Sequence, residues 1–163
     1  MTLAEFNAAD TATARDVLRA CLDIQSWVDE VDSGRPYATV DALTARASAS
    51  SARITWGEVA GALARHPRIG EAPKQDSSRE RRWSSSEQSG VRTTDAEALA
   101  QGNRDYQERF GHIFLICASG LSGAQILAAL RRRLTNDDET ERTEVIGELR
   151  KIADLRLAKA IGS

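Results

Sequence analysis

Apolar residues recur along most of the chain at intervals of three and four positions, the spacing that places them on one face of an α-helix. The alternation of apolar and polar residues that is typical of β-strands is nearly absent. The pattern therefore predicts an all-α fold, a helical bundle of about seven to nine helices. The chain has 163 residues, a length typical of a single domain spanning 1–163.

Capping motifs predict where these helices begin and end. The helices of the first half are expected to start at Asp10 or Thr11, just before Trp27, at about Thr39 and at Thr55. Thr55 and Glu58 have the spacing of a capping box, in which two side chains accept hydrogen bonds from free amides at a helix start. The helix that they open is expected to end at His66, because Pro67 disfavours α-helical geometry in the residue before it.

The second half contains one long connection, Gly70 to Ser86, which shows no apolar period. Thr94 and Glu97 predict a further helix start, and Gly111 is suited to end that helix. Ser122 is the expected cap of the next helix. The last helix, from about Asp137 to Ala160, carries a predicted apolar stripe of Val145, Ile146, Leu149, Ile152 and Leu155.

The charges nearly balance, with 22 Lys and Arg against 24 Asp and Glu and a net charge of -2. Such a chain has no global basic field, so nucleic acid and membrane surfaces are not expected as partners. The longest apolar run, Ile113 to Ala118, is too short to span a bilayer, and the first residues do not resemble a secretory signal. We therefore expect a cytoplasmic protein.

The positions of Cys and His indicate neither a disulfide framework nor a zinc site. Cys21 and Cys117 lie far apart in apolar neighbourhoods, which is typical of small buried side chains in a reducing compartment. Neither His66 nor His112 has a Cys or His at ligand spacing, and His112 is interpreted as a helix-end or core residue. No metal is expected, although a site made of Asp and Glu alone stays open.

Four features have residue types suited to chemistry, and each also has a structural interpretation. His66 at a helix end would feel the negative end of the helix dipole, which raises the pKa of an imidazole from about 6.5; the structural interpretation is an exposed cap. The stretch Ser84 to Glu87 could offer free amides to an anion or only start a helix. The small residues of "LICASGLSG" allow close backbone approach to a ligand or form a capped turn. A basic residue near the end of the last helix could bind a carboxylate or only complement the helix dipole.

Five motifs together, in their order along the chain, resemble those of one known protein family, although no single motif would identify it. They are "HPRIGE" at 66–71, "SSSEQSG" at 84–90, "FGHIFLICASG" at 110–120, "TNDDETE" at 135–141 and "KIADLRL" at 151–157. With the opening "FNAAD", they make the chain resemble the 2-oxo-4-hydroxy-4-carboxy-5-ureidoimidazoline (OHCU) decarboxylase family, which forms S-allantoin in urate catabolism. The resemblance covers essentially the whole chain. It implies an all-α, cofactor-free carboxy-lyase that forms homodimers and takes a small anionic substrate.

The resemblance also implies roles for particular residues. His66 matches the catalytic histidine, acting as proton donor, and Glu87 would assist it. The substrate would be bound by Pro67, by Gln88 with the backbone of Ser84, Ser85 and Ser86, by the main chain of Ile116, Cys117, Ala118, Ser119 and Gly120, and by Arg156. Arg68 and Ile69 stand where other members often carry Asp and Leu, and 72–82 is unusually charged, which bears on loop shape more than on chemistry.

Two alternatives remain open at this point. A non-enzymatic helical interaction module would use the same motifs only as caps and core, and it would have no pocket joining His66 to Glu87. A different lyase or hydrolase of small anions could use the same scaffold, since one fold supports several reactions.

Overall fold

The computed structural model describes residues 1–65 and 93–162, with the backbone alone at 93 and 94. In these ranges the chain forms eight α-helices and no β-strand, so the predicted all-α class is confirmed. The helices are α1 (Leu3–Ala8), α2 (Thr11–Cys21), α3 (Gln25–Ser33), α4 (Val40–Ser51), α5 (Trp56–Leu63), α6 (Thr93–Phe110), α7 (Gly123–Arg133) and α8 (Asp138–Ala160). None of these described helices combines the length and the apolar character that crossing a membrane requires.

The chain divides into two compact units. The first comprises Met1–Ala62 with Arg150–Ser163, and the second comprises Leu63–Leu149. The first unit therefore holds α1 to α4, nearly all of α5 and the end of α8, whereas α6, α7 and the first half of α8 belong to the second. That the whole chain is a single domain stays a prediction.

In the first unit, α3 packs against both α2 and α4. The indole Nε1 of the buried Trp27 in α3 donates a hydrogen bond to the carbonyl oxygen of Ala47 in α4 at 3.0 Å. The end of α8 is tied to α4, because the Arg150 guanidinium donates to the Ser51 hydroxyl at 3.1 Å. The buried apolar residues of this unit include Phe6, Val17, Leu18, Val28, Val31 and Leu43.

Asn7, in the opening "FNAAD", holds the chain after α3. Its Nδ2 donates to the Tyr37 carbonyl oxygen at 2.8 Å, and its Oδ1 accepts from the Tyr37 amide at 2.9 Å. Because Asn7→Ala removes the partners of both backbone groups, we expect it to lower the free energy of unfolding by about 1–3 kcal/mol. Urea unfolding measures the change. Gln25→Ala removes an exposed amide bonded to Asp29 and should shift stability by less than about 0.5 kcal/mol, so equal shifts would contradict the role of Asn7.

In the second unit, α6 packs against α7. The segment between them, 113–118, has no regular secondary structure, yet Phe114, Leu115, Ile116 and Ala118 are buried. It shares one hydrophobic cluster with the two helices, formed by Leu99, Tyr106, Phe114, Ile116, Ala118, Ile126 and Leu130. This connection is therefore part of the core rather than a surface loop.

Several predicted helix ends are confirmed. Asp10 caps α2, Thr55 and Glu58 form the expected capping box, and Ser122 caps α7. Gly111 follows α6 with a φ of 82°, the left-handed conformation that ends many helices. The predicted connection at 70–86 and the side chain of Thr94 lie outside the described residues.

The structure differs from the predicted helices in three places. The backbone of α6 is already helical at Thr93, before the predicted capping residue Thr94. The last helical residue of α5 is Leu63 rather than His66, and a turn follows at Ala64. The physical reason is that a proline sets the latest residue at which a helix can end, not the residue at which it does end. The sequence pattern also did not predict α1, although Thr2 and Glu5 form a capping box at its start.

The predicted apolar stripe of α8 is wrong at Leu155, which is 42% exposed. At 100° per residue, Leu155 lies about 80° around the helix from Val145, whereas Arg156 lies within about 20° of it. The buried face therefore runs from Val145 through Leu149 and Ile152 to Arg156.

Candidate active site

The predicted site residues fall into two groups. His66, Pro67, Ser84, Ser85, Ser86, Glu87 and Gln88 lie outside the described residues. The structure describes Ile116, Cys117, Ala118, Ser119 and Gly120 in the second unit, and Arg156 in the first. The described part of the second unit therefore shows how one predicted binding segment is built.

Residues 116–120 lead from the core into a tight turn. The Leu121 amide donates to the Ala118 carbonyl oxygen at 3.0 Å, and Gly120, the third residue of this turn, has a φ of 80°. A positive φ at that position is typical of a type II turn and favours glycine. Ile116 and Ala118 are buried, whereas Ser119 and Gly120 are exposed. Buried side chains thus anchor a turn whose tip reaches the surface.

Arg133 of α7 fixes the residues just before this segment. Its Nη1 donates to the Leu115 carbonyl oxygen at 2.7 Å. The same guanidinium lies over the Phe114 ring, 4.5 Å from the ring centroid. Because Arg133 is only 1% exposed, both contacts are made inside the core.

Glu141 of α8 neutralises the buried guanidinium. Its carboxylate accepts three hydrogen bonds from Arg133, at 3.2, 3.0 and 2.6 Å. One oxygen also accepts from the Asn136 amide at 3.1 Å, and the other accepts from the Tyr106 hydroxyl. A fully buried ion pair is tolerated when its remaining polar groups are hydrogen-bonded, and both Glu141 oxygens have at least two donors here.

Tyr106 of α6 completes this arrangement. Burial, and then the hydrogen bond to the Glu141 carboxylate, raise the pKa of Tyr106, so its phenol stays protonated and donates. Its ring meets the Phe114 ring edge-on, with the centroids 5.3 Å apart. We call Tyr106, Phe114, Arg133 and Glu141 the Arg133 cluster. Three helices and the segment that leads to residue 116 meet in it.

His112 packs beside the cluster as the predicted helix-end histidine. Its ring lies edge-on to Tyr106, with the centroids 5.5 Å apart, and stacks with Phe110 at 6.2 Å. Its Nδ1 lies 3.1 Å from the Ile113 carbonyl oxygen. These contacts agree with a structural role.

Arg156 is the basic residue near the end of α8 that turns inward. It is 8% exposed and lies on the buried face with Ile152 and Leu157, whereas Lys151 and Lys159 are exposed. Arg156 therefore brings a guanidinium group, with several hydrogen-bond donors, to the interior of the first unit.

Arg133 lies outside the five motifs, and Glu141 is only the last residue of one of them. Arg133 ends a run of three arginines and Glu141 lies in the acid-rich "TNDDETE", so both have the surroundings of surface charges at helix ends. The helical period could have identified both residues as buried. Arg133 follows the buried Leu130 by three positions and Glu141 precedes the buried Val145 by four, so each lies on the apolar face of its helix. Opposite charges at apolar-face positions of consecutive helices predict a buried pair.

The family of the chain follows from a comparison with known families. A model of the OHCU decarboxylase family matches residues 7–158. The chain belongs to the OHCU decarboxylase family. The matched range runs from Asn7 of "FNAAD" past Arg156, so it includes all five motifs that carry the resemblance.

Known proteins of this family resemble the chain over most of its length. It is 27% identical to the 2-oxo-4-hydroxy-4-carboxy-5-ureidoimidazoline decarboxylase of Haloferax volcanii, over 100% of this chain and 98% of that protein. It is 30% identical to the uric acid degradation bifunctional protein TTL of Arabidopsis thaliana, over 88% of this chain but 46% of that protein. A crystal structure of OHCU decarboxylase in the presence of (S)-allantoin matches with a TM-score of 0.75 and 26% identity, over 91% of this chain and 99% of that chain.

The assignment confirms the expected enzyme class, an OHCU decarboxylase and hence a carboxy-lyase. It favours this class over a non-enzymatic interaction module. The roles of individual residues of the OHCU decarboxylase site stay predictions.

Proposed function

We propose that this chain decarboxylates OHCU to S-allantoin in urate catabolism, with His66 as proton donor and Glu87 assisting. The observation that carries the proposal is the family match over residues 7–158. The relative from Haloferax volcanii has nearly the same length and is named for this activity. The similar crystal structure was determined in the presence of (S)-allantoin.

The reaction needs an electron sink, which the substrate itself contains. OHCU carries a carboxylate and a hydroxyl on one ring carbon, and the neighbouring carbon bears the ureido group and is doubly bonded to nitrogen. When the bond to the carboxylate breaks, carbon dioxide leaves and the electron pair forms a double bond between the two ring carbons, while the ring nitrogen takes a proton. The resulting enol loses its hydroxyl proton, and the ureido-bearing carbon gains one, which gives allantoin.

His66 and Glu87 act at the hydroxyl and carboxylate end of the substrate. The imidazole of His66, held by Glu87, manages the proton of the hydroxyl and carboxylate region, a task suited to a group that titrates near neutral pH. Pro67 lies against the substrate, and Gln88 with the backbone of 84–86 binds the ring and ureido groups. Protonation of the ureido-bearing carbon from one face then yields the S enantiomer.

The turn at 116–120 contributes main-chain contacts to the substrate, and Arg156 contributes positive charge. Support for the first role is the run of small residues at 118–120, which allows a backbone to approach a ligand closely. Support for the second is the inward position of Arg156, because a guanidinium binds a carboxylate through two parallel hydrogen bonds.

Three further predictions complete this proposal. The reaction needs neither a metal nor a cofactor, since the substrate supplies the electron sink. The chain forms homodimers, and it works in the cytoplasm.

Substrate profiling tests the proposed function against a different small-anion lyase or hydrolase. Freshly generated OHCU and a panel of other small carboxylates are mixed with the protein, and carbon dioxide release is followed. We expect release from OHCU to exceed the spontaneous rate in proportion to protein concentration. Release at the spontaneous rate from OHCU, with turnover of another carboxylate, would establish the alternative.

Gly120→Ala tests the binding role of the turn, with Gly111→Ala as a matched control. Both glycines are exposed and have a φ near 80°. Within the described part of the chain, and apart from their direct chain neighbours, no atom lies within 4 Å of the position that a Cβ would take. Each substitution should therefore cost about 1–2 kcal/mol of stability through backbone strain alone. Only Gly120→Ala should also lower kcat/KM, by about 10-fold or more, because only that turn contacts substrate in the proposal. Equal kcat/KM values in the two variants would remove the turn from the site.

A further inference from the structure

The Arg133 cluster places an ion pair in the core, where the burial of charge costs free energy. Taking two ions out of water is unfavourable, and apolar residues of similar volume often give equal or greater stability. Arg133 and Glu141 are 1% and 0% exposed, and they come from two different helices. A role in fixing geometry therefore accounts for the pair better than a role in stability.

The geometry that the cluster fixes is that of the chain just before residue 116. Segment 113–118 has no regular secondary structure, so the hydrogen bonds of a helix do not set its position. Arg133 holds the Leu115 carbonyl oxygen at 2.7 Å and covers the Phe114 ring at 4.5 Å. Glu141 accepts hydrogen bonds from Arg133 and from Tyr106. The Tyr106 ring also contacts the Phe114 ring edge-on.

We propose that Tyr106, Arg133 and Glu141 are positioning residues of the decarboxylase, which hold the main chain of 116–120 at the place where it binds substrate. The role of 116–120 in binding substrate comes from the proposed function, on which this proposal rests. The way in which the segment is held comes from the described contacts. The three side chains act through the Leu115 carbonyl group and the Phe114 ring.

A triple variant separates positioning from folding. Arg133→Met alone would leave Glu141 buried without its cation, which is strongly destabilising. Tyr106→Phe with Arg133→Met and Glu141→Leu instead replaces the polar cluster with apolar groups of similar size, so the variant should fold while losing the bond to Leu115. Tyr106→Phe alone is a milder second variant, because it removes one donor to Glu141 and keeps the ring.

A neighbouring ion pair supplies the matched control. Arg132 and Glu144 join the same two helices, at 2.8 and 3.2 Å, but their side chains are 59% and 30% exposed. In the described residues, their hydrogen bonds do not reach 113–120. Arg132→Gln alone therefore breaks a neighbouring pair without touching the segment. It keeps Glu144 as a partner of Asn136, which also donates to Glu141.

Hydrogen exchange of the amides at 116–121 is the first readout, and steady-state kinetics with OHCU is the second. We expect exchange to be about 10-fold faster in the triple variant, faster to a smaller degree in Tyr106→Phe, and unchanged in the control. KM for OHCU should rise about 10-fold with kcat changed by less than about 3-fold, because lost uniform binding raises KM alone. A merely structural role would unfold a fraction of the molecules, which lowers the apparent kcat and leaves KM unchanged.

The two readouts distinguish a failure of the positioning role from a failure of the proposed function. Wild-type exchange at 116–121 in the triple variant would overturn the positioning role, and so would faster exchange with an unchanged KM. A wild-type protein that does not turn over OHCU would overturn the proposed function, whereas the exchange comparison would still decide whether the cluster holds the segment.

Discussion

Replacing His66 with Ala is expected to lower kcat by about 100-fold to 10,000-fold, the range that a positioned general acid or base contributes. The physical reason is that both the departure of carbon dioxide and the formation of the new C–H bond are coupled to proton transfers near the substrate hydroxyl and carboxylate. Stopped-flow measurement of OHCU consumption at saturating substrate gives kcat directly. Thermal unfolding followed by circular dichroism checks that the lower kcat does not come from a loss of fold.

The control for His66 is the other histidine of the chain. His112 packs against Tyr106 and Phe110 in the described structure, so His112→Gln removes an imidazole that has a structural role. It should lower the melting temperature but leave kcat within about 3-fold, since it takes no proton in the reaction. A His66→Ala variant with wild-type kcat would show that His66 takes no part in the proton transfers.

Replacing Glu87 with Gln should lower kcat/KM by about 10-fold to 100-fold, the range for a lost hydrogen bond to a charged group. A carboxylate can hold and stabilise an imidazolium, whereas an amide of the same shape cannot supply the charge. The fold should survive, because Gln still serves at the third helical position of a capping box. Circular dichroism checks the fold, and initial rates over a range of OHCU concentrations check the loss.

Glu5→Gln supplies the matched control for Glu87. Glu5 occupies the same position of a capping box at the start of α1, where its carboxylate accepts from the Thr2 amide at 2.6 Å. The same change of charge at this exposed helix start should leave kcat/KM at the wild-type value. If Glu87→Gln and Glu5→Gln behave alike, Glu87 is a cap and has no part in the chemistry.

Local rules predicted much of the helical structure. Asp10, Thr55 with Glu58 and Ser122 were assigned as caps from spacing alone, because a cap depends on residues three or four positions apart. Leu155 was assigned to the buried stripe by the same local reasoning, and that assignment was wrong. Two successive steps of three residues, from Leu149 to Ile152 and from Ile152 to Leu155, turn about 120° around the helix, so Leu155 leaves the buried face.

The positioning of 116–120 could not be predicted in the same way. Tyr106 and Glu141 are 35 residues apart in the chain, and their hydrogen bond depends on how α6 and α8 pack. The order of residues identifies Arg133 and Glu141 as charges on apolar faces, but it does not say which carbonyl the guanidinium reaches. The roles of His66 and Glu87 came from the family resemblance, since spacing alone left each of them a structural interpretation.

We propose that this protein makes one enantiomer of allantoin from OHCU, and circular dichroism of the product measures this property. Urate is oxidised enzymatically to generate OHCU, the protein is added, and ellipticity is followed until the substrate is consumed. Uncatalysed decay in water has no preferred face, so it gives a product without ellipticity. We predict that the dichroism of S-allantoin grows at a rate proportional to protein concentration. Allantoin that forms without ellipticity in the presence of the protein would contradict the account.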